Sequence, residues 1–86
     1  MKIYELEFNG VKIVCVVKEG ELVHFSVSFE HSRTCLRIHE LPIKNLESLI
    51  SLLEEGDPES IKKFLIKVKN SRLYEVEALK KVIKNL

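Results

Sequence analysis

The pattern of apolar and polar residues over the first forty positions predicts β-strands, through two-residue alternation in some segments and a short apolar run in another. Segments 2–8 and 11–18 are rich in β-branched and aromatic residues, and Asn9-Gly10 between them suits a two-residue type I′ turn. The alternation resumes over residues 21–29 and 34–39. Because short connections place consecutive strands side by side, the pattern predicts a four-stranded antiparallel meander over residues 2–39.

The alternation also predicts which side chains of the last two strands face the core. In the third strand, one face carries four apolar residues, Val23, Phe25, Val27 and Phe29. The opposite face carries Leu22, His24, Ser26 and Ser28. In the fourth strand, Thr34, Leu36 and Ile38 oppose Cys35, Arg37 and His39. The first set in each strand is expected to be buried, and the second set to lie on a semi-polar face that is open or covered by a partner.

The period lengthens to that of amphipathic helices after residue 45. Three apolar stripes follow: Leu46, Leu49, Ile50 and Leu53; Ile61, Phe64, Leu65 and Val68; and Leu79, Val82, Ile83 and Leu86. Gly56 is placed to end the first helix, and Asp57-Pro58 to begin the second. Residues 64–77 could instead form a hairpin that turns at Asn70-Ser71, but the complete second stripe favours a helix. Leu46 and its stripe are expected to pack on the third strand.

These patterns together predict an α+β fold in which two or three helices pack on one face of the sheet. The 86 residues suffice for a single domain, with a sheet part over residues 1–40 and a helical part over residues 41–86.

The longest apolar run, 11–17, is interrupted by Lys12 and is far shorter than the roughly 20 residues of a membrane span. No signal peptide is recognisable, so a cytoplasmic location without a membrane partner is expected. The absence of glutamine and tryptophan is typical of thermophile proteins.

The histidines and cysteines do not predict a metal site or an enzyme. His31, Cys35 and His39 recur at every fourth residue, but positions four apart on a strand are roughly 13 Å from each other. Zinc ligands must each lie about 2.0–2.3 Å from the ion. Cys35 could act as a nucleophile beside His24 or His39, yet the three glycines all fall in short connections and leave no oxyanion or phosphate loop. We therefore expect no catalysis, no cofactor and no small-molecule substrate, and we interpret Cys15 as a core residue.

The distribution of charge favours nucleic-acid binding. Residues 58–86 hold eight basic and three acidic residues, whereas residues 1–40 hold five and six. Two cationic sets could contact phosphates. The first lies on the open sheet face and comprises His24, Arg33, Arg37 and His39. The second lies on the helices and comprises Lys62, Lys63, Lys67 and Arg72. Tyr4 and Phe8 would add stacking rings if their side of the first strand faces outward.

The order of elements, four meander strands followed by helices, resembles single-stranded-DNA-binding domains of the transcription-coactivator and Whirly kind. The resemblance is one of architecture, without a shared residue motif, and it implies binding of single-stranded DNA or RNA. The chain is accordingly predicted to be a small nucleic-acid-binding protein with little sequence preference. Its pI of 7.8 lies below the value of about 9 that dedicated nucleic-acid binders exceed.

The alternative function is a non-enzymatic protein-interaction or regulatory module that acts through homo- or heterodimerisation. Three apolar residues, Leu22, Leu52 and Ile66, fall outside the predicted stripes. A contiguous apolar patch of this kind usually marks an interface, and a chain of this length buries only a small core. A homodimer is therefore predicted.

Overall fold

Four strands and three helices follow one another in the order that the sequence predicts. The computed structural model describes residues 1–37, 41, 45–70 and 77–86, without the side chain of Ala78. The elements are β1 (Lys2–Phe8), β2 (Val11–Lys18), β3 (Glu21–Phe29), β4 (Ser32–Cys35), α1 (Leu46–Glu55), α2 (Pro58–Asn70) and α3 (Glu77–Asn85). The predicted α+β class and the four-stranded antiparallel sheet are confirmed.

The strands form a meander of order β1-β2-β3-β4, joined by tight turns. Both central residues of the first turn, Asn9 and Gly10, have positive φ angles of 49° and 82°, as a type I′ turn requires. Glu19 and Gly20 repeat this arrangement at 52° and 75°. The third connection is only Glu30-His31, because β4 already begins at Ser32. The predicted end of this strand at residue 39 lies outside the described residues.

The boundaries of α1 and α2 follow from capping side chains. The side-chain oxygen of Asn45 accepts a hydrogen bond from the backbone N–H of Ser48 at 2.9 Å. Gly56 ends α1 with a φ of 63°, and its N–H donates to the carbonyl of Leu52. Asp57 precedes α2 and accepts a 2.8 Å hydrogen bond from the Ser60 hydroxyl, which lowers the pKa of the Asp57 carboxyl. α2 continues to Asn70, so the helical interpretation is confirmed for residues 64–70, and residues 71–76 lie outside the described part.

The core lies between the helices and one face of the sheet. β2 contributes Val11, Ile13, Cys15 and Val17. The other strands contribute chiefly Phe25, Val27, Thr34 and the adjoining Leu36, and the helices contribute Leu49, Leu53, Ile61, Phe64, Leu65, Val68, Leu79 and Val82. The rings of Phe25 and Phe64 meet at a centroid distance of 6.2 Å and an angle of 60°. The apolar side of β3 is therefore covered by the helices, but by α3 and by Phe64 of α2. The stripe of α1 is buried at Leu49 and Leu53, and α1 packs chiefly on α2 rather than on β3 as predicted.

One inward residue of β3 was predicted wrongly, because the strand contains a β-bulge. Val16 pairs with His24 and Val17 with Leu22, so Val23 has no opposing residue on β2. Val23 is 56% exposed, whereas Leu22 packs against the core. The extra residue reverses the alternation at this point, since each residue of shift moves a side chain to the opposite face. The bulge therefore places Leu22, rather than Val23, beneath the helices.

We expect Phe25→Ala to lower the free energy of unfolding by about 3–5 kcal/mol, because it removes a buried ring and leaves a cavity. Val23→Ala, on the same strand, should change it by less than about 0.5 kcal/mol, since Val23 is largely exposed. Urea denaturation of the two variants measures this difference. Equal losses from both substitutions would contradict the position of the bulge.

Candidate interaction surfaces

The sheet face opposite the described helices presents three rows of side chains across the strands; we call it the open face. The first row is Glu7, Lys12, Ser28 and Arg33. The second row is Glu5, Val14, Ser26 and Cys35. The third row is Ile3, Val16 and His24. Ile3 is 56% exposed, and the valines of the two rows are half-buried, so the open face combines apolar and polar groups.

Charge on the open face is divided between its two edges. Glu5 and Glu7 are exposed on β1, and Arg33 is exposed on β4, three strands away. The backbone ladder continues beyond β4, since the N–H of Leu36 donates to the carbonyl of Phe25 at 2.8 Å. This ladder carries exposed Arg37 toward His24. The open face therefore has an acidic edge and a basic edge rather than a uniformly basic surface.

The rings that were considered for base stacking face the core. Tyr4 pairs with Cys15 and Phe8 with Val11, and both β2 partners are fully buried on the side of the helices. Tyr4 and Phe8 pack against that core and are half-buried. Among the described residues, His24 contributes the one aromatic plane on the open face. The condition under which β1 would supply stacking rings is therefore not met.

A shallow recess of ≈ 510 Å³ opens at one end of β3 and β4. Its lining comprises Leu22, Val23, His24, Phe25, Cys35, Leu36 and Arg37. His24 Nε2 lies 3.1 Å from the Ser26 hydroxyl oxygen, which holds the imidazole over the strand. Nowhere in residues 1–37, 41, 45–70 and 77–86 do three or more histidine, cysteine, aspartate or glutamate residues form a group that could hold a metal ion.

The two free cysteines have different surroundings. Cys15 is fully buried in the core, as predicted, and burial raises the pKa of its thiol to about 11. Cys35 is exposed on the open face and pairs across the strands with Ser26. Any thiol chemistry of the folded chain is therefore expected at Cys35.

The second cationic set lies in the helical layer. Ile61, Leu65 and Val68 anchor α2 in the core, which turns Lys63 and Lys67 to solvent. The lysines of α2 and α3 are all exposed or half-buried, and we refer to them collectively as the lysine surface: Lys62, Lys63, Lys67, Lys69, Lys80, Lys81 and Lys84. Lys80 lies 3.8 Å from the Glu77 carboxylate. Since the helices cover one side of the sheet, the lysine surface and the open face lie on different sides of the molecule.

The structure places the two predicted cationic sets on separate parts of the molecule. His24, Arg33 and Arg37 lie at the basic end of the sheet, and the predicted lysines lie on α2. His39 and Arg72 lie outside the described residues. Glu5 and Glu7 were expected from the sequence to lie near this face, and the pairing of β1 with β2 places both of them on it.

Two of the three apolar residues that suggested a dimer have other roles. Leu22 and Leu52 pack against the core, which removes them from a shared exposed patch. The large exposed apolar side chains among the described residues are instead Met1, Ile3 and Val23. The third residue, Ile66, is half-buried on α2, so the three residues do not form one exposed apolar patch.

Comparison with known proteins finds no match. No protein-family model, no curated protein and no solved structure matches the chain. No helix within the described part of the chain has the length and hydrophobicity needed to cross a membrane.

We expect a thiol reagent at pH 8 to label Cys35 rapidly and Cys15 slowly, because Cys15 is buried and its raised pKa keeps it protonated. Counting modified thiols by mass spectrometry should give one fast site in dilute folded protein and two in denaturant. Cys35→Ser should abolish the fast reaction. Rapid labelling of folded Cys35→Ser protein would show that Cys15 is accessible.

Proposed function

We propose that the protein binds nucleic acid, DNA or RNA, by contacting phosphates with its lysine surface. The observation that carries this proposal is the excess of cations on α2 and α3. Residues 58–70 and 77–86 contain seven lysines against two glutamates, a net charge of +5. A cluster of this kind releases condensed counterions from a nucleic-acid backbone, which is the main source of affinity that does not depend on sequence.

The spacing of the lysines suits contact with several phosphates. Lys63 and Lys67 are four residues apart, so their Cβ atoms lie about 5–6 Å from each other on the outer side of α2. Lys62 and Lys69 are seven residues apart, or about 10 Å along the helix axis. Lysine side chains are flexible and carry compact charges, so they can follow an irregular backbone without reading bases. Little sequence preference is therefore expected.

The open face supports this function less well than the lysine surface does. Its arginines share the face with Glu5 and Glu7, and residues 1–37 contain five basic and five acidic residues. The rings of β1 face the core, so stacking contributes little. The proposed preference for single strands consequently rests on the flexibility of their backbone, which can adapt to the positions of the lysines.

We expect Lys62→Ala/Lys63→Ala/Lys67→Ala to weaken binding and to reduce its dependence on salt. For a single strand, the slope of log affinity against log salt should fall by up to about two, at roughly 0.7 for each lost phosphate contact. Fluorescence anisotropy with labelled single- and double-stranded oligonucleotides at several salt concentrations measures affinity, slope and strand preference.

Arg33→Ala/Arg37→Ala is the matched control, because it removes cations from the open face and should leave the slope nearly unchanged. Circular dichroism spectra establish that both variants are folded. The proposal is wrong if the wild-type protein fails to bind at about 50 mM salt, where counterion release is favourable. It is also wrong if the arginine variant, and not the lysine variant, changes the slope.

A further inference from the structure

The open face has complementary charges at its two edges, and none of the described residues forms a layer over it. Exposed Glu5 and Glu7 lie on β1, exposed Arg33 lies on β4, and half-buried Val14 and Val16 lie between them on β2. This arrangement is complementary to itself, because a second copy of the face offers a basic edge to the acidic edge of the first. A surface of this kind fits an isologous contact between identical chains.

We propose that a second copy of this chain docks on the open face, with a two-fold axis parallel to the strands and located between β2 and β3. The proposal is independent of nucleic-acid binding, since it uses the side of the sheet away from the lysine surface. A rotation about this axis places β1 of one chain over β4 of the other and β2 over β3. The two sheets would face each other about 10 Å apart.

The cross-strand register specifies the contacts, because a rotation about this axis preserves position along the strands. In the first row, the partner's Glu7 lies over Arg33 and its Lys12 over the Ser28 hydroxyl. In the second row, the partner's Glu5 lies over Cys35. Glutamate and arginine side chains are long enough to span the gap between the edges of aligned sheets.

The inner contacts of the second and third rows are uncharged. The partner's Val14 lies over Ser26, and its Val16 lies over His24. Ser26 is only 5% exposed, and its hydroxyl already pairs with the imidazole of His24 at 3.1 Å. These polar groups can therefore enter an interface with their hydrogen bond in place.

The charges also select the direction of the two-fold axis. An axis across the strands would place β1 over β1 and β4 over β4, so that the acidic edge would face a second acidic edge and the basic edge a second basic edge. Like charges at such positions repel and destabilise the contact. The axis parallel to the strands replaces both repulsions by two attractive pairs, one at each edge of the interface.

The size of the face sets the expected affinity. Four strands spaced at about 4.8 Å and seven residues at about 3.3 Å give a surface of roughly 19 Å by 23 Å. With side-chain relief, two copies would bury on the order of 1,000–1,200 Å² in total, near the lower limit of a specific interface. We therefore expect a dimer that dissociates in the micromolar range and more readily at high salt.

Charge reversal tests both the interface and its register. In sedimentation equilibrium at high protein concentration and low salt, the wild-type chain should have twice its 10.0 kDa monomer mass. Glu7→Arg and Arg33→Glu alone should each shift the protein to the monomer, because each creates like-charged pairs. An equimolar mixture of these two variants should restore the dimer. The mixed dimer has two attractive pairs. In one pair, the arginine introduced at position 7 of the first chain meets the glutamate introduced at position 33 of the second chain. In the other pair, the unchanged Arg33 of the first chain meets the unchanged Glu7 of the second chain.

Glu54→Arg is the matched control for a charge change, because Glu54 is exposed on α1 in the helical layer. This variant should remain as dimeric as the wild type. Thermal melts of all variants show whether each remains folded. A monomeric wild-type chain at several hundred micromolar, far above the expected dissociation constant, would overturn the proposal, as would two folded single variants that stay dimeric.

Cys35 supplies a second readout, because the partner's β1 would cover it. Its rate of alkylation should fall as the concentration of wild-type protein rises, and it should not depend on the concentration of Glu7→Arg. A rate independent of concentration in a dimeric wild type would place the dimer contact elsewhere and would overturn the proposed interface. A different outcome would assign the open face to nucleic acid instead. In that case the wild-type protein would be monomeric, Arg33→Glu would lose oligonucleotide binding, and Glu7→Arg would retain it.

Discussion

The alternation of buried and half-exposed side chains along β2 is the constraint on which the rest of the structure depends. β2 pairs with both β1 and β3, and its residues Val11, Ile13, Cys15 and Val17 all face the helices. Because a strand has a period of two, this burial determines the facing of every paired residue in the neighbouring strands. All three helices must then bury their apolar stripes on that side. The described residues form no second helical layer, so within them the opposite face of the sheet is left uncovered.

The sequence was sufficient to predict the elements whose patterns are complete and bounded by capping or turn residues. The stripe of α2 follows Asp57-Pro58, and α1 ends at Gly56, so period and boundary agree. The bulge at Val23 could not be predicted, because Leu22 and Val23 are both apolar and either could face the core. The orientation of β1 was left open for a similar reason. Its inward residues are Tyr4, Leu6 and Phe8, but they are only half-buried at the edge of the sheet, where the pattern is weakest.

The arrangement of the candidate site was predictable only in part. From the sequence alone, the alternation of the fourth strand and the apolar stripe of the second helix placed Arg33 on the open sheet face and Lys63 on the helices. The acidic edge depends on the pairing of β1 with β2, which brings Glu7 into the row of Arg33 although 26 positions separate them. Such long-range pairing is set by turn lengths and core burial together. The separation of the two cationic sets was therefore predictable from the strand and helix patterns, whereas the acidic edge required the topology.

In a dimer formed through the open faces, the two lysine surfaces would lie on opposite sides of the assembly. A dimer formed through the open faces directs both helical layers outward, with two sheets between them. At about 10 Å for each layer contact, the helices of the two chains would lie roughly 30 Å apart on opposite sides. A short oligonucleotide cannot reach both lysine surfaces, so dimerisation adds no effective concentration for it. A long strand, or two separate strands, can contact both sides. Dimerisation would therefore leave the affinity for short oligonucleotides unchanged while it gives the protein the ability to bridge nucleic-acid segments.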